Sequence, residues 1–153
     1  MSDSTEDMRL TGRAIGEFIL RWAEVTGPNF GGDLTSAIIY TAVVQANIRE
    51  VWNDPVLNRQ YADVAPPNAL RRPISISAIA ASLNLPREMV RRHVGRMLDS
   101  GAMVKKDGGV IVPVETVDSP VGLEAMRLLH AAARRFVQSM RKAGVRFADS
   151  DGE

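Results

Sequence analysis

Cysteine is absent from the 153 residues. That absence excludes a disulfide scaffold, a thiolate zinc site and a cysteine nucleophile, and it fits a reducing, cytoplasmic compartment. Histidine is almost absent: His93 and His130 stand far apart, without the ligand spacing of a metal site. Long hydrophobic runs are missing too. The longest nearly apolar stretch, Ala37 to Val44, is too short to span a bilayer, so no membrane association is expected. The opening MSDSTEDM is acidic and polar, unlike a secretory leader. No G-x-G-x-x-G, P-loop or G-x-S-x-G occurs. Gly31-Gly32 precedes Asp33, but an acidic helix cap opposes an anion site there, and a turn is the better reading. The expectation is therefore a protein that is not an enzyme and carries no cofactor or metal.

What is present is ordinary in bulk and uneven in place. Apolar residues make up 45% and charged residues 24%, and the length suffices for one domain with a core. The net charge is +1, but residues 70–113 hold eight basic against three acidic side chains, or +5. The remainder holds 11 basic and 15 acidic, or −4. Such asymmetry points to a polyanion-binding face in the middle third. A well-solvated surface is the plain alternative.

Local signals divide the chain. Residues 1–8 read as a disordered tail, and 9–72 as an N-terminal helical region. Within it Leu10, Ala14, Phe18 and Trp22 repeat at helical spacing, and GPNFGG at 27–32 breaks the helix. Asp33 caps a second helix through about Trp52, apolar on most sides and hence central. Asp54-Pro55 can open a short helix, and APPN at 65–68 forms a loop. Ser75 caps a helix from Ile76 to Leu83, and Asn84 turns the chain. Pro86 opens a helix through about Ser100, ended by Gly101. Met103–Lys106 and Val110–Val114 read as strands joined by Asp107-Gly108-Gly109. Ser119-Pro120 starts a last helix, assigned to 119–145, and 146–153 reads as a second disordered tail.

Two short helices, a tight turn and a hairpin give the order of a winged helix-turn-helix at 73–114. The expected fold is mainly α with a small β-hairpin wing, flanked by N- and C-terminal helices. This order resembles the winged-helix regulators of the bacterial MarR and IclR families. Arg87-Glu88-Met89-Val90-Arg91-Arg92 also resembles the R-E-x-V-x-R recognition motif of the cyclic AMP receptor protein family. The resemblance covers about a quarter of the chain. It departs in placing Asn84 where such turns often have Gly, a small change because Asn tolerates positive φ. No β-rich domain precedes the motif, so nothing about cyclic nucleotides carries over. The resemblance implies double-stranded DNA as partner, and a transcription regulator as function.

On a helical wheel, Val90, Val94, Met97 and Leu98 share one side of helix 86–100. Glu88, Arg92 and Arg96 lie opposite, flanked by Met89 and Gly95, with Arg91 at the edge. Arg can donate twice to guanine and Glu can accept from cytosine. The candidate DNA-binding residues are therefore Arg87, Glu88, Met89, Arg91, Arg92, Arg96, Lys105 and Lys106, the two lysines for phosphate or the minor groove. A Glu88–Arg92 surface pair is the bland reading of the first two face residues. Arg71 and Arg72 are open between backbone contact and linker, and His93 is expected at the groove edge. Met126, Leu129, Ala133, Phe136 and Met140 form a coiled-coil-like seam, for a homodimer or for the chain's own N-terminal helices. A winged-helix protein-interaction module is an alternative. A helical small-ligand protein, with Trp22, Trp52, Tyr40 and Phe30 around a pocket, is another. No sequence feature identifies an effector.

Overall fold

The computed structural model describes residues 4–147; of the expected tail at 146–153 only Arg146 and Phe147 are described, and 148–153 lie outside, as do residues 1–3. Seven helices and one hairpin follow in order: α1 (Thr5–Thr26), α2 (Leu34–Asn53), α3 (Pro55–Gln60), α4 (Ile76–Leu83), α5 (Arg87–Asp99), β1 (Val104–Lys106), β2 (Gly109–Ile111), α6 (Val114–Val117) and α7 (Pro120–Ala143). The fold is mainly helical with a two-stranded antiparallel sheet. Short 3-10 turns cover Gly27–Phe30 and Asn68–Leu70. Helix α1 starts at Thr5 because Ser4 caps it by accepting from the Asp7 N–H, so residues 5–8 of the expected tail are helical. Helix α6 was not foreseen.

Caps set most boundaries. The carboxylates of Asp33 and Asp54 and the hydroxyls of Ser75 and Ser119 each accept a first-turn N–H. Asn84 ends α4 in the left-handed region at φ 52°, and Gly144 does the same for α7 at 73°.

Helix α2 is the axis of the core. Ile39 and Val43 are fully buried with Ile79 of α4, Val90 and Val94 of α5, and Met103, Val110 and Val112 from the hairpin region. In the same interior lies Asn47, also fully buried. Its amide donates to the Arg72 carbonyl at 2.7 Å and the Val110 carbonyl at 3.3 Å, and its oxygen accepts from the Val112 N–H at 2.9 Å. One side chain thus joins α2, the segment entering α4 and strand β2.

The hairpin turns on Asp107 and Gly108, both at positive φ, with Lys106 paired to Gly109. Ile74 and Val110 exchange both backbone hydrogen bonds, at 3.1 and 3.0 Å, adding one rung of a third strand. A Cβ on Gly109 would lie 2.8 Å from the Ile74 backbone, so this rung requires glycine.

Helices α1 and α7 run antiparallel as a separate arm. The Arg146 N–H donates to Asp7 at one end, and the Phe18 and Phe136 rings lie 5.8 Å apart midway. Leu129, Ala133, Phe136 and Met140 are half-buried, whereas Met126 is exposed. The chain's own α1 thus covers the side of α7 that bears the seam.

Asn47→Ala would strand the Val112 N–H and the Arg72 carbonyl, while the Val110 carbonyl keeps the Ile74 N–H. It is expected to lower the stability by about 2–4 kcal/mol, read from urea unfolding. A midpoint unchanged from wild type would show that the clasp carries little.

Candidate nucleic-acid interface

Helix α5 owes its orientation to the turn before it. With Asn84 left-handed, the Leu85 N–H bonds the Ala80 carbonyl at 3.0 Å, and buried Ala80 lets the helices approach. Val90, Val94 and Met97 then enter the core. Arg87, Glu88, Arg91, Arg92 and Arg96 are left exposed on one continuous surface, with Met89 half-buried at its edge. Arg91, Arg92, His93, Gly95, Arg96 and Asp99 line an open basin of about 360 Å³ along this surface. A Cβ on Gly95 would meet nothing within 4 Å, so the chain's own packing does not demand glycine there.

The charges on this face are not equally available. Glu88 pairs with Arg91 rather than Arg92: Arg91 donates through Nε at 2.9 Å and Nη2 at 2.6 Å. This fork holds the Glu88 carboxyl below the usual range and raises the Arg91 guanidinium further. Arg87 donates to the Ser77 hydroxyl of α4 at 3.0 Å. Arg92 has no hydrogen bond or ion pair among the described residues.

Arg96 belongs to a cluster at the start of α2. Its Nη2 lies 3.3 Å from Asp33 Oδ2 and 2.9 Å from His93 Nδ1. That same Nδ1 lies 2.8 Å from the Ser36 hydroxyl and 3.1 Å from Asp33. Nδ1 either carries a proton and donates to Ser36 or Asp33, or is bare and accepts from Arg96. Serine and carboxylate meet on one ring nitrogen, so this is not the relay of a hydrolytic triad, which needs one on each. Burial alone would raise the Asp33 pKa. The Ser36 amide and hydroxyl and the nearby His93 and Arg96 charges outweigh it, leaving the pKa lowered. Spacings of 57 to 63 residues hid this cluster from the sequence; only Asp33 as a cap and His93 as an edge residue were visible.

The hairpin differs from the expected wing at one lysine. Lys105 is exposed and without a partner among the described residues. Lys106 is half-buried and donates to the carbonyls of Asn68 at 2.8 Å and Arg71 at 3.0 Å. It fastens the hairpin to the 68–71 turn instead of reaching outward. Arg71 is 2% exposed, bonded through Nε to the Pro66 carbonyl with Nη1 unpaired. Burial lowers its pKa, against the charges of Asp118 and Glu115. Arg72 pairs with Glu50 at 2.7 Å. Of the eight cations at 70–113, Arg92 and Lys105 alone have no partner among the described residues.

The four aromatics of the ligand-pocket alternative do not share a cavity. The Phe30 and Tyr40 rings meet at 5.3 Å, tilted by 59°, against the core, and Trp52 is exposed. None of the four lines the basin along α5, or the 350 Å³ basin at the foot of the α1–α7 arm. No group of metal-ligating side chains occurs among the described residues, and none of their helices is long and apolar enough to cross a membrane. No family model, curated protein or solved structure matches the chain.

Lys106→Ala is expected to destabilise the fold by about 1–3 kcal/mol, whereas Lys105→Ala stays within about 0.5 kcal/mol of wild type in thermal melts. Equal melting of the two variants would put Lys106 outside the fold's framework. Asp33→Ala is expected to lose about 1 kcal/mol at neutral pH. Because the folded Asp33 pKa is depressed, its contribution is complete above the usual 3.8 and fades as pH falls through the lower folded value. The gap between variant and wild type should therefore close in acid; a gap independent of pH would contradict this account.

Proposed function

We propose that this chain is a sequence-specific DNA-binding transcription regulator, of the winged helix-turn-helix kind found in bacteria. Helix α5 lies in the major groove, and Lys105 on the wing reaches a phosphate or the minor groove. The observation that carries this reading is Arg92. It is exposed and unpartnered on the side of α5 opposite the buried Val90 and Val94, beside a glycine that nothing in the chain crowds. A surface cation left uncommitted beside three committed arginines of the same helix has its donors available for a guanine edge. A mid-helix glycine costs about 1 kcal/mol relative to alanine, and a close external backbone gives it a purpose.

The Glu88–Arg91 fork presents a fixed shape in which the carboxylate still has lone pairs for a cytosine amino group. Arg87 and Arg96, anchored to Ser77 and Asp33, serve to position α5 and to contact the flanking backbone. Two copies on half-sites about 10 base pairs apart are the stoichiometry this geometry implies.

Selection of bound duplexes from a random pool, followed by titration at several salt concentrations, tests the reading. Affinity should fall linearly with log salt. Arg92→Ala should cost about 1–3 kcal/mol on the preferred site and relax preference at one base pair. Lys105→Ala should weaken all sequences alike and flatten the slope by about one unit. Gly95→Ala should stabilise the fold and weaken binding. If no duplex binds at low salt, the chain is a winged-helix protein-interaction module instead.

A further inference from the structure

Three side chains converge on one ring nitrogen where α5 passes the start of α2. His93 Nδ1 lies 2.8 Å from the Ser36 hydroxyl, 2.9 Å from Arg96 Nη2 and 3.1 Å from Asp33 Oδ2. The Ser36 hydroxyl donates its one hydrogen to Asp33 Oδ2 at 2.9 Å, so toward the ring it is an acceptor. Nδ1 is left with two incompatible states. Bare, it accepts from Arg96, and the neutral ring keeps its hydrogen on Nε2. Protonated, it donates to Ser36 or Asp33 and offers Arg96 nothing.

Adding a proton to that neutral ring forces the change. Nε2 is already occupied, so the proton takes Nδ1. Two N–H groups then face each other across 2.9 Å, and two cations stand side by side. The His93 side chain is 13% exposed and keeps two acceptors, whereas Arg96 is 64% exposed on a long stem. Arg96 is the group free to leave, and the open basin it shares with His93 receives it. The surrounding charges do not oppose this. Of the elements packed on α5, α4 carries no ionisable side chain. Helix α2 brings Asp33 at its cap, which titrates below the usual range, and Tyr40, kept neutral by burial. Its Arg49 and Glu50 lie more than three turns beyond Ser36. On α5 itself Arg91, Arg92 and Asp99 line the same basin.

We infer that His93 is a proton-operated latch on Arg96: the neutral ring holds the guanidinium beside Asp33, and the imidazolium releases it into the basin along α5. The consequence rests on the DNA reading of that face. Release adds a guanidinium and a charged ring to the surface proposed to meet the duplex, and guanidinium–phosphate bonds are charge-assisted and bidentate. By linkage, a duplex that prefers the released state also favours the proton on His93. Histidine is the side chain that ordinarily changes charge between about pH 5 and 8, so the latch makes duplex affinity rise with acid in that window. His93 is thus a positioning residue that acts through Arg96.

Two measurements test it. In the free protein, side-chain nitrogen spectra are followed from about pH 8 to about pH 5.5, the range in which imidazole titrates. His93 should begin with Nδ1 bare, and the Arg96 Nε signal should move with the same midpoint as the His93 ring. An Arg96 signal indifferent to the His93 titration overturns the inference. Binding of the selected duplex at fixed salt is then measured over the same range. Wild-type affinity should rise about tenfold toward acid, as expected for one added phosphate contact and one added charge. His93→Gln and Arg96→Gln should each remove most of that rise, whereas His130→Gln, on α7, should keep it. A rise undiminished in Arg96→Gln would show His93 meeting DNA by itself and would overturn the latch. If no duplex binds at either pH, the DNA reading fails, and the spectra of the free protein still decide the latch.

Discussion

The fold depends on a buried amide. Asn47 stands inside an apolar interior, where an unpaired polar group is costly, and its three hydrogen bonds tie α2 to two other parts of the chain, Arg72 and the Val110–Val112 segment. They tie the hairpin to α2. With β2 fixed, the Ile74–Val110 rung sets the start of α4, and the Asn84 turn then sets α5. The pose of the exposed arginines is thus inherited from an interaction on the far side of the core.

Charge on the sequence and charge at the surface differ in this protein. The +5 middle segment reads as one basic field. In three dimensions most of it is committed: Arg71 and Lys106 to carbonyls, Arg72 to Glu50, Arg91 to Glu88, Arg96 to Asp33 and Arg87 to Ser77. The exposed ion pairs of α5, Arg91–Glu88 and Arg96–Asp33, add little stability. Their effect is geometric, holding long side chains in place around Arg92.

Local chemistry made the elements legible. Asp33, Asp54, Ser75 and Ser119 announce helix starts because a cap needs only its own first turn, and Asp107-Gly108 announces the hairpin for a similar reason. Most of the proposed reading face followed from helical periodicity alone. What the sequence hid is long-range. Lys106 reaches residues 35 and 38 positions away, and His93 meets Ser36 across 57. Glu88 choosing Arg91 over Arg92 is a rotamer matter that i,i+3 and i,i+4 spacing cannot decide. Helix α1 extended further than expected because Ser4 caps it within what reads as an acidic tail.

The central claim is that the exposed side of α5, with Arg92 at its middle, meets duplex DNA. Backbone amide spectra recorded while a selected duplex is added test it directly. The account predicts saturable shifts concentrated on residues 87–96 and on Lys105, with the amides of α3 unmoved. Saturable binding whose shifts fall elsewhere and leave Arg92 and Gly95 unchanged would contradict it.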